Sequence, residues 1–351
     1  MDSAGFISTG VSVGRAPGLV QLEELIGRKA NGENLPRSAQ PVDLGGLRLS
    51  GMDLSGLDLS GANLSGAELI GCDISGTRLV GADLSRCIAQ RADLSRCELM
   101  GADLSGADLA NATLERTGVG RVTAVGTSFF GAKCSYATFS GSELGGADLR
   151  ACNLFGARLR GVCLSQADLE GSDLTEADLT GADVFRASLR NVILARAQLR
   201  DVKGYASADW IGADVGDVNF TGAWLLRRHV QDVNFIAEFR RQSSLHEVIY
   251  RVWWATSDCG RSLLRWGAWT MSAALLYSWL YTLVGIDWGS TRTWMSPMYY
   301  SVITFTTLGY GDVLPGSAAA QALAMSQVVL GYFSLGGMMS ILADKMARRA
   351  G

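Results

Sequence analysis

The residues with the plainest chemical purpose are the run Thr306-Thr307-Leu308-Gly309-Tyr310-Gly311-Asp312. An extended Thr-Leu-Gly-Tyr-Gly strand offers successive backbone carbonyls. Copies of it around one axis would make rings of oxygens that, with the Thr307 hydroxyl, replace the water shell of a dehydrated K⁺. Thr307, Leu308, Gly309 and Tyr310 are therefore the expected ion ligands, with Gly311 completing the strand. Gly309 and Gly311 can adopt the left-handed backbone angles that aim neighbouring carbonyls at one axis, which a Cβ would resist. Tyr310 is expected to pack outward as a strut.

Such a strand needs elements to hold it. Ser296-Pro297 reads as a helix N-cap followed by proline at the first helical position. Met298 to Thr306 then has the length of a short helix, whose partly negative C-terminal end would face a cation. On either side lies an apolar stretch. Ser262 to Ile286 carries only Arg265, near its start, with Trp266, Trp269 and Trp288 near its ends, and Ala318 to Ala343 carries no charge. Each exceeds the roughly 20 residues needed to cross ~30 Å of hydrocarbon.

Residues from about 260 to 347 resemble the two-helix pore module of potassium channels, most specifically over Thr304 to Asp312. That resemblance implies a re-entrant pore helix, a selectivity filter and a homotetramer, because one subunit cannot close the ring. Leu308 stands where Val is commoner in that family. Ile303 occupies the position four before Thr307, where some members place a carboxylate, so Asp312 is expected to bond Tyr299 or Tyr300 instead. Asp312, Tyr299, Tyr300 and Thr306 are thus the expected filter supports, the alternative for Asp312 being a solvated charge at the outer mouth. Gly331 and Gly336 are candidate hinges or sites of close helix packing. Counting by four from Gly331 reaches Leu335, Met339 and Ala343, one helical stripe, so Met339 and Ala343 are candidate gate residues.

Basic residues give the orientation. Arg240, Arg241, Arg251 and Arg261 precede the first apolar stretch, Arg265 lies near its start, and Lys345, Arg348 and Arg349 follow the second, whereas the intervening loop offers only Arg292. By the positive-inside rule both termini face the cytoplasm. No helix with arginine at every third position occurs, so voltage sensing of the usual kind is not expected.

Most of the remaining chain repeats every five residues. Every fifth residue from Leu44 to Leu199 is Leu, Ile, Val or Phe, except Ala89, Ala124 and Cys134. Two places before each centre sits a small side chain, as in Ala62, Ala67, Ala82, Ala92 and Ala102, often followed by Asp or Asn. A five-residue spacing fits neither 3.6 nor 2.0, so the pattern signals a solenoid. It is similar to the pentapeptide-repeat family. The resemblance implies a right-handed quadrilateral β-helix with about four pentapeptides per coil, hence about 8 coils and a rod on the order of 40 Å long at the usual strand spacing. Coils bury their apolar faces only by stacking, so the ends need caps.

Two irregularities are expected to bulge: the blurred units from Glu115 to Gly131, and the extra residue after Leu199 that shifts the centres to Tyr205, Trp210, Val215, Phe220 and Leu225. Pro17 to Lys29, with Leu19, Leu22, Leu25 and Ile26, reads as a capping helix, with Pro36 and Pro41 in the linker after it. The membrane module is expected to cover the other end. Between them Phe235 to Asp258, with Leu245, Val248, Ile249, Val252 and Trp253 beside Arg240, Arg241, His246 and Arg251, suits a helix in the inner membrane interface. A cytoplasmic helix packed on the last coil is the alternative. The expected domains are 1–41, capping helix and linker; 42–230, cytoplasmic repeat; 231–260, linker and interfacial helix; and 261–351, pore.

Composition bounds the rest. The chain has 351 residues and a net charge of −3, with 48% hydrophobic residues. Met1 to Gly18 lacks a basic region followed by an apolar run, so no cleavable signal peptide is expected. With only a few residues after Ala343, no C-terminal regulatory domain is expected. Cys72, Cys87, Cys97 and Cys152 fall at the small inward position and Cys134 at a centre, and no CxxC pair occurs, so buried reduced thiols are expected. With two histidines and no nucleophile arrangement, phosphate loop or zinc spacing, neither catalysis nor a cofactor beyond permeant K⁺ is expected. The leading expectation is a multi-pass, K⁺-selective channel of a bacterial-type plasma membrane, with the bilayer and an unidentified cytoplasmic ligand or protein as partners and no nucleic acid. The alternative is a membrane-anchored repeat scaffold, or a DNA mimic, whose pore is closed or non-conducting.

Overall fold

The computed structural model describes residues 17–31, 41–288 and 293–350, without the side chains of residues 344, 345 and 347–350. The stretch before Pro17, Pro36 of the linker and Arg292 of the loop lie outside the described residues, as do the side chains of Lys345, Arg348 and Arg349. The chain forms two compact units, Met1–Ala237 and Glu238–Gly351.

In the first unit, parallel bridges link each unit to the one 20 residues on, from Asp43↔Asn63 to Asp183↔Lys203. One coil is therefore four pentapeptides. Each five-residue step follows from its side chains. The central Leu and the small residue two before it point inward and are almost wholly buried, as at Leu64, Ala62, Leu109 and Ala107. The Asp or Asn between them accepts the N–H two residues on, as in Ser55 N to Asp53 Oδ1 at 2.9 Å, which folds the chain round the corner. The corner residue, such as Gly56, takes a left-handed angle, φ 65°. Backbone groups pair between coils, Leu64 N to Asp83 O at 2.7 Å and Asp83 N to Ala62 O at 2.9 Å, so the rod leaves few polar groups unmatched in its core.

The expected bulge at Glu115 to Gly131 does not occur. The bridges Glu98↔Gly118, Asp103↔Thr123 and Asp108↔Ser128 keep the 20-residue spacing. Thr117 and Thr127 fit the small inward position because each hydroxyl donates to a carbonyl of the preceding coil, Leu94 O at 2.7 Å and Leu104 O at 2.6 Å. Cys72 and Cys97 do the same with their thiols, to Leu49 O and Ile74 O at 2.9 Å. Burial pushes the Cys87 and Cys97 thiols up to about 12, so both stay protonated.

The second irregularity is real. The spacing becomes 21 residues at Ser188↔Asp209, and the extra residue is absorbed in a 3-10 turn over Tyr205–Ser207. Trp210 then fills the core, its Nε1 donating to Tyr205 O at 2.8 Å. Leu225 is not a centre, because the solenoid has ended: it is exposed in helix α2, Trp224–Arg241. The cap at this end is α2 itself rather than the membrane module, since Leu226 and Val230 are buried in the rod's core. At the other end α1, Pro17–Ala30, inserts Leu22 and packs Leu19, Leu25 and Ile26 on the same core.

The second unit continues with α3 (Ser244–Ser257), α4 (Leu263–Tyr281), strand β1 (Ile286–Asp287), α5 (Ser296–Phe305), strand β2 (Leu314–Pro315) and α6 (Ala318–Ala350). β1 and β2 pair antiparallel, and α4, α5 and α6 pack on one another. Phe235 to Asp258 is two helices rather than one, because Ser243 stops α2 and caps α3 by accepting from His246 N. Among the described residues one helix, α6 over Ala318–Ala343, is long and apolar enough to cross a membrane by length and composition. The first expected span is shorter than predicted: α4 ends at Tyr281. Trp266, Trp269, Tyr277, Trp279 and Tyr281 lower its mean hydropathy, and such residues favour membrane–water interfaces.

Candidate functional site

The candidate site starts at the C-terminal end of α5. That helix begins at Ser296, one residue earlier than the sequence suggests. Met295 is the capping position, and Pro297 still falls in the first turn, where its missing N–H costs nothing. The Ser296 hydroxyl instead accepts from Thr293 N at 2.8 Å.

Beyond Phe305 the chain leaves the helix through Thr307 N to Thr304 O at 3.1 Å and Leu308 N to Ile303 O at 2.9 Å. Left-handed angles then alternate: Thr307 has φ 59°, Gly309 φ 44° and Gly311 φ 75°. Both glycines do what their type suggested. Thr307 is the addition, a β-branched residue in a conformation uncommon for it and one that tends to mark functional sites. Leu308 and Tyr310 are left exposed by a single chain.

The carboxylate of Asp312 accepts the Tyr299 hydroxyl at 2.8 Å, which resolves the choice between the two tyrosines. Tyr300 is buried, with its ring 4.8 Å from that of Tyr281 and 6.2 Å from that of Trp288. Ile303 is buried in the same cluster. Thr306 turns back to its own helix, donating to Val302 O at 2.8 Å.

Of the two glycines in α6 that the sequence suggests, Gly331 is a close-packing site. A Cβ there would lie 2.2 Å from the Phe305 carbonyl oxygen, whereas one at Gly336 would meet nothing within 4 Å. The close approach to α4 is made by Gly337, where a Cβ would lie 2.3 Å from the Trp266 ring. Trp266 Nε1 also donates to Ser334 O at 2.8 Å. Leu335, Met339 and Ala343 are exposed on one stripe of α6.

A buried polar group of Tyr281, Ser301 and Gln327 behind α5 was not anticipated from the sequence. A long polar amide, Gln327, in the middle of an uncharged stretch was its signal. In α3 and its approach, Glu247 accepts from Arg240 at 2.8 Å and Arg251 at 3.2 Å, and the Arg240 hydrogen bond holds the Glu247 carboxyl below its usual range.

Comparison with known proteins agrees with both halves. The family model described as pentapeptide repeats matches residues 43–116 and 132–203 in five stretches, and the model described as ion channel matches residues 264–348. The chain is 38% identical over 55 residues to Two pore potassium channel b of Oryza sativa subsp. japonica, covering 16% of each protein. It is 36% identical over 52 residues to Two-pore potassium channel 1 of Arabidopsis thaliana, covering 15% of this chain and 14% of that protein. The chain thus spans about a sixth of the length of these curated relatives. Among solved structures, HetL, a pentapeptide repeat protein involved in heterocyst differentiation regulation from the cyanobacterium Nostoc sp. strain PCC 7120, is 31% identical, with 57% of this chain and 94% of that one covered and a TM-score of 0.40. A pentapeptide-repeat domain, with its 20-residue coils and inward leucines, is therefore joined in this chain to a domain of the ion channel family.

Proposed function

We propose that this protein is a K⁺-selective channel, assembled as a homotetramer in a bacterial-type plasma membrane with both termini cytoplasmic. The observation that carries the reading is the segment after α5, where left-handed Thr307, Gly309 and Gly311 alternate with Leu308 and Tyr310. Inverting every second residue brings successive carbonyls toward the same side, the arrangement that replaces a K⁺ hydration shell when several chains surround one axis. Thr307, Leu308, Gly309 and Tyr310 would then be the ion ligands. The Tyr299–Asp312 hydrogen bond would brace the outer end of the filter.

The exposed faces fit the same reading. Leu264, Met325 and Phe333 are between 70% and 88% exposed in the single chain, far more apolar surface than a soluble monomer shows. Lipid and neighbouring subunits would cover it, with α4 and α6 as the two spans. Leu335, Met339 and Ala343 would line the inner pore, and Met339 and Ala343 would form its gate. The repeat domain, a right-handed quadrilateral β-helix, would act as a regulatory or assembly domain on the cytoplasmic side through α3.

The test is K⁺ flux through purified protein in liposomes, with Ba²⁺ block and a Gly309→Ala variant. Selective, blockable flux in the parent and its loss in the variant is the expected result. Absence of flux from a verified tetramer, with the gate released by Ala343→Asp, would overturn the reading.

A further inference from the structure

Behind α5 lies a closed set of buried polar groups. Tyr281 Oη on α4 donates to Gln327 Oε1 on α6 at 2.6 Å. Gln327 Nε2 donates twice into α5, to Ser301 O at 3.1 Å and Ser301 Oγ at 2.7 Å. Ser301 Oγ in turn donates to Ala274 O on α4 at 2.7 Å. Tyr281, Ser301 and Gln327 are each 0% exposed. Both amide hydrogens of Gln327 and its oxygen are thus satisfied, as are the two hydroxyls.

The position of this set matters as much as its completeness. Ser301 precedes Phe305 by one helical turn, and Gln327 precedes Gly331 by one turn. Since Gly331 lies against the Phe305 carbonyl, α6 holds α5 at two successive turns, once by hydrogen bonds and once by backbone contact. The second contact is at the residue from which the filter strand departs. A shift of α6 along either turn must therefore move α5, or break hydrogen bonds that have no water to replace them.

We infer that Gln327 is a positioning residue for ion selection: through Ser301, and held in place by Tyr281, it fixes the height and rotation of α5 and hence the diameter of the carbonyl rings. This rests on the channel reading above. A buried amide satisfied on three sides is expensive to disturb, because losing one partner strands the others in an apolar site. Close packing at Gly331 limits the same movement, and the hydrogen bonds add a direction to it, because they are satisfied in one register of α6 against α5.

The experiment measures the K⁺/Na⁺ permeability ratio from bi-ionic reversal potentials of the full chain in planar bilayers, for the parent, Gln327→Leu, Tyr281→Phe, Ser301→Ala and the double variant Tyr281→Phe/Gln327→Leu. Gln327→Leu should lower the ratio on the order of tenfold, and Tyr281→Phe by roughly threefold. The double variant should be no worse than Gln327→Leu, because the groups act as one unit. A purely structural role would lower yield or melting temperature and leave the ratio where it was. If Gln327→Leu fails to assemble, Tyr281→Phe and Ser301→Ala, which each remove one oxygen, decide the matter. An unchanged ratio in every variant that assembles overturns the inference. Absence of K⁺-selective current even with the gate released by Ala343→Asp would instead strike the channel reading itself.

Discussion

The two units solve the problem of apolar side chains in opposite ways. In the repeat, every coil covers its neighbour, so Leu64, Leu109 and Leu169 are buried by the same chain that carries them, and α1 and α2 close the ends. In the second unit the core is a small cluster around Tyr281, Tyr300 and Ile303, while Leu264, Phe333 and Met325 face outward. A solenoid is stabilised by contacts between successive coils and is complete as one chain. Helices with apolar faces turned outward are completed by something else, and small residues such as Gly331 and Gly337 let them approach one another closely. The difference teaches that leucines spaced to meet their own repeats are buried by a single chain, whereas the apolar faces of the second unit are left open by one.

The comparison can be broken most forcefully in the rod. Leu109→Ala should remove about 2–5 kcal/mol from the repeat domain, read as a fall in its denaturant midpoint, while the permeability ratio of the channel stays at the parent's value. A change of selectivity without loss of rod stability would show that the two units do not divide the work in this way. In the pore, Gly337→Val should cost about 1–3 kcal/mol by overpacking against Trp266. It should lower the thermal stability of the detergent-solubilised protein and leave the rod's midpoint unchanged. If Gly337→Val is neutral, the close contact of α4 and α6 is not what holds that unit together.

The smallest effect concerns the docking of α1. Lys29 donates to Asp53 at 2.9 Å, and hydrogen bonds from Ser55 and Lys29 hold the Asp53 carboxyl down at about 2. The folded value lies below the unfolded one, so this contribution is present above pH ~4 and lost as the pH falls from there toward 2. Asp53 is mostly exposed, and the contribution is therefore at most ~1 kcal/mol. A fall in the amide-exchange protection factors of α1 below pH 4, absent from Asp53→Asn, is the expected observation. Equal exchange in both proteins at every pH would remove the ion pair from the account.

How far the sequence alone reaches differs along the chain for a physical reason. A five-residue period with a fixed inward centre leaves few ways to bury its leucines, so the repeat and the capping role of Leu22 follow from composition and spacing, while four pentapeptides to the coil is what the family resemblance implies. What the period concealed was tolerance: Thr117 and Thr127 look like breaks, yet their hydroxyls find carbonyls in the coil before. Gly309 and Gly311 announce left-handed backbone because no other residue takes it so freely, whereas Thr307 at φ 59° could not be read from a residue type that avoids it.

Between Tyr299 and Tyr300 only the rotation of α5 could choose, because they are adjacent in sequence and point about 100° apart around the helix. The repeat, the left-handed glycines after α5 and the apolar character of α6 were thus determined by local pattern. The Tyr299–Asp312 bond, the contacts at Gly331 and Gly337, and the Tyr281–Gln327–Ser301 set were decided by tertiary structure, since each joins residues on different elements whose meeting depends on how helices rotate and cross.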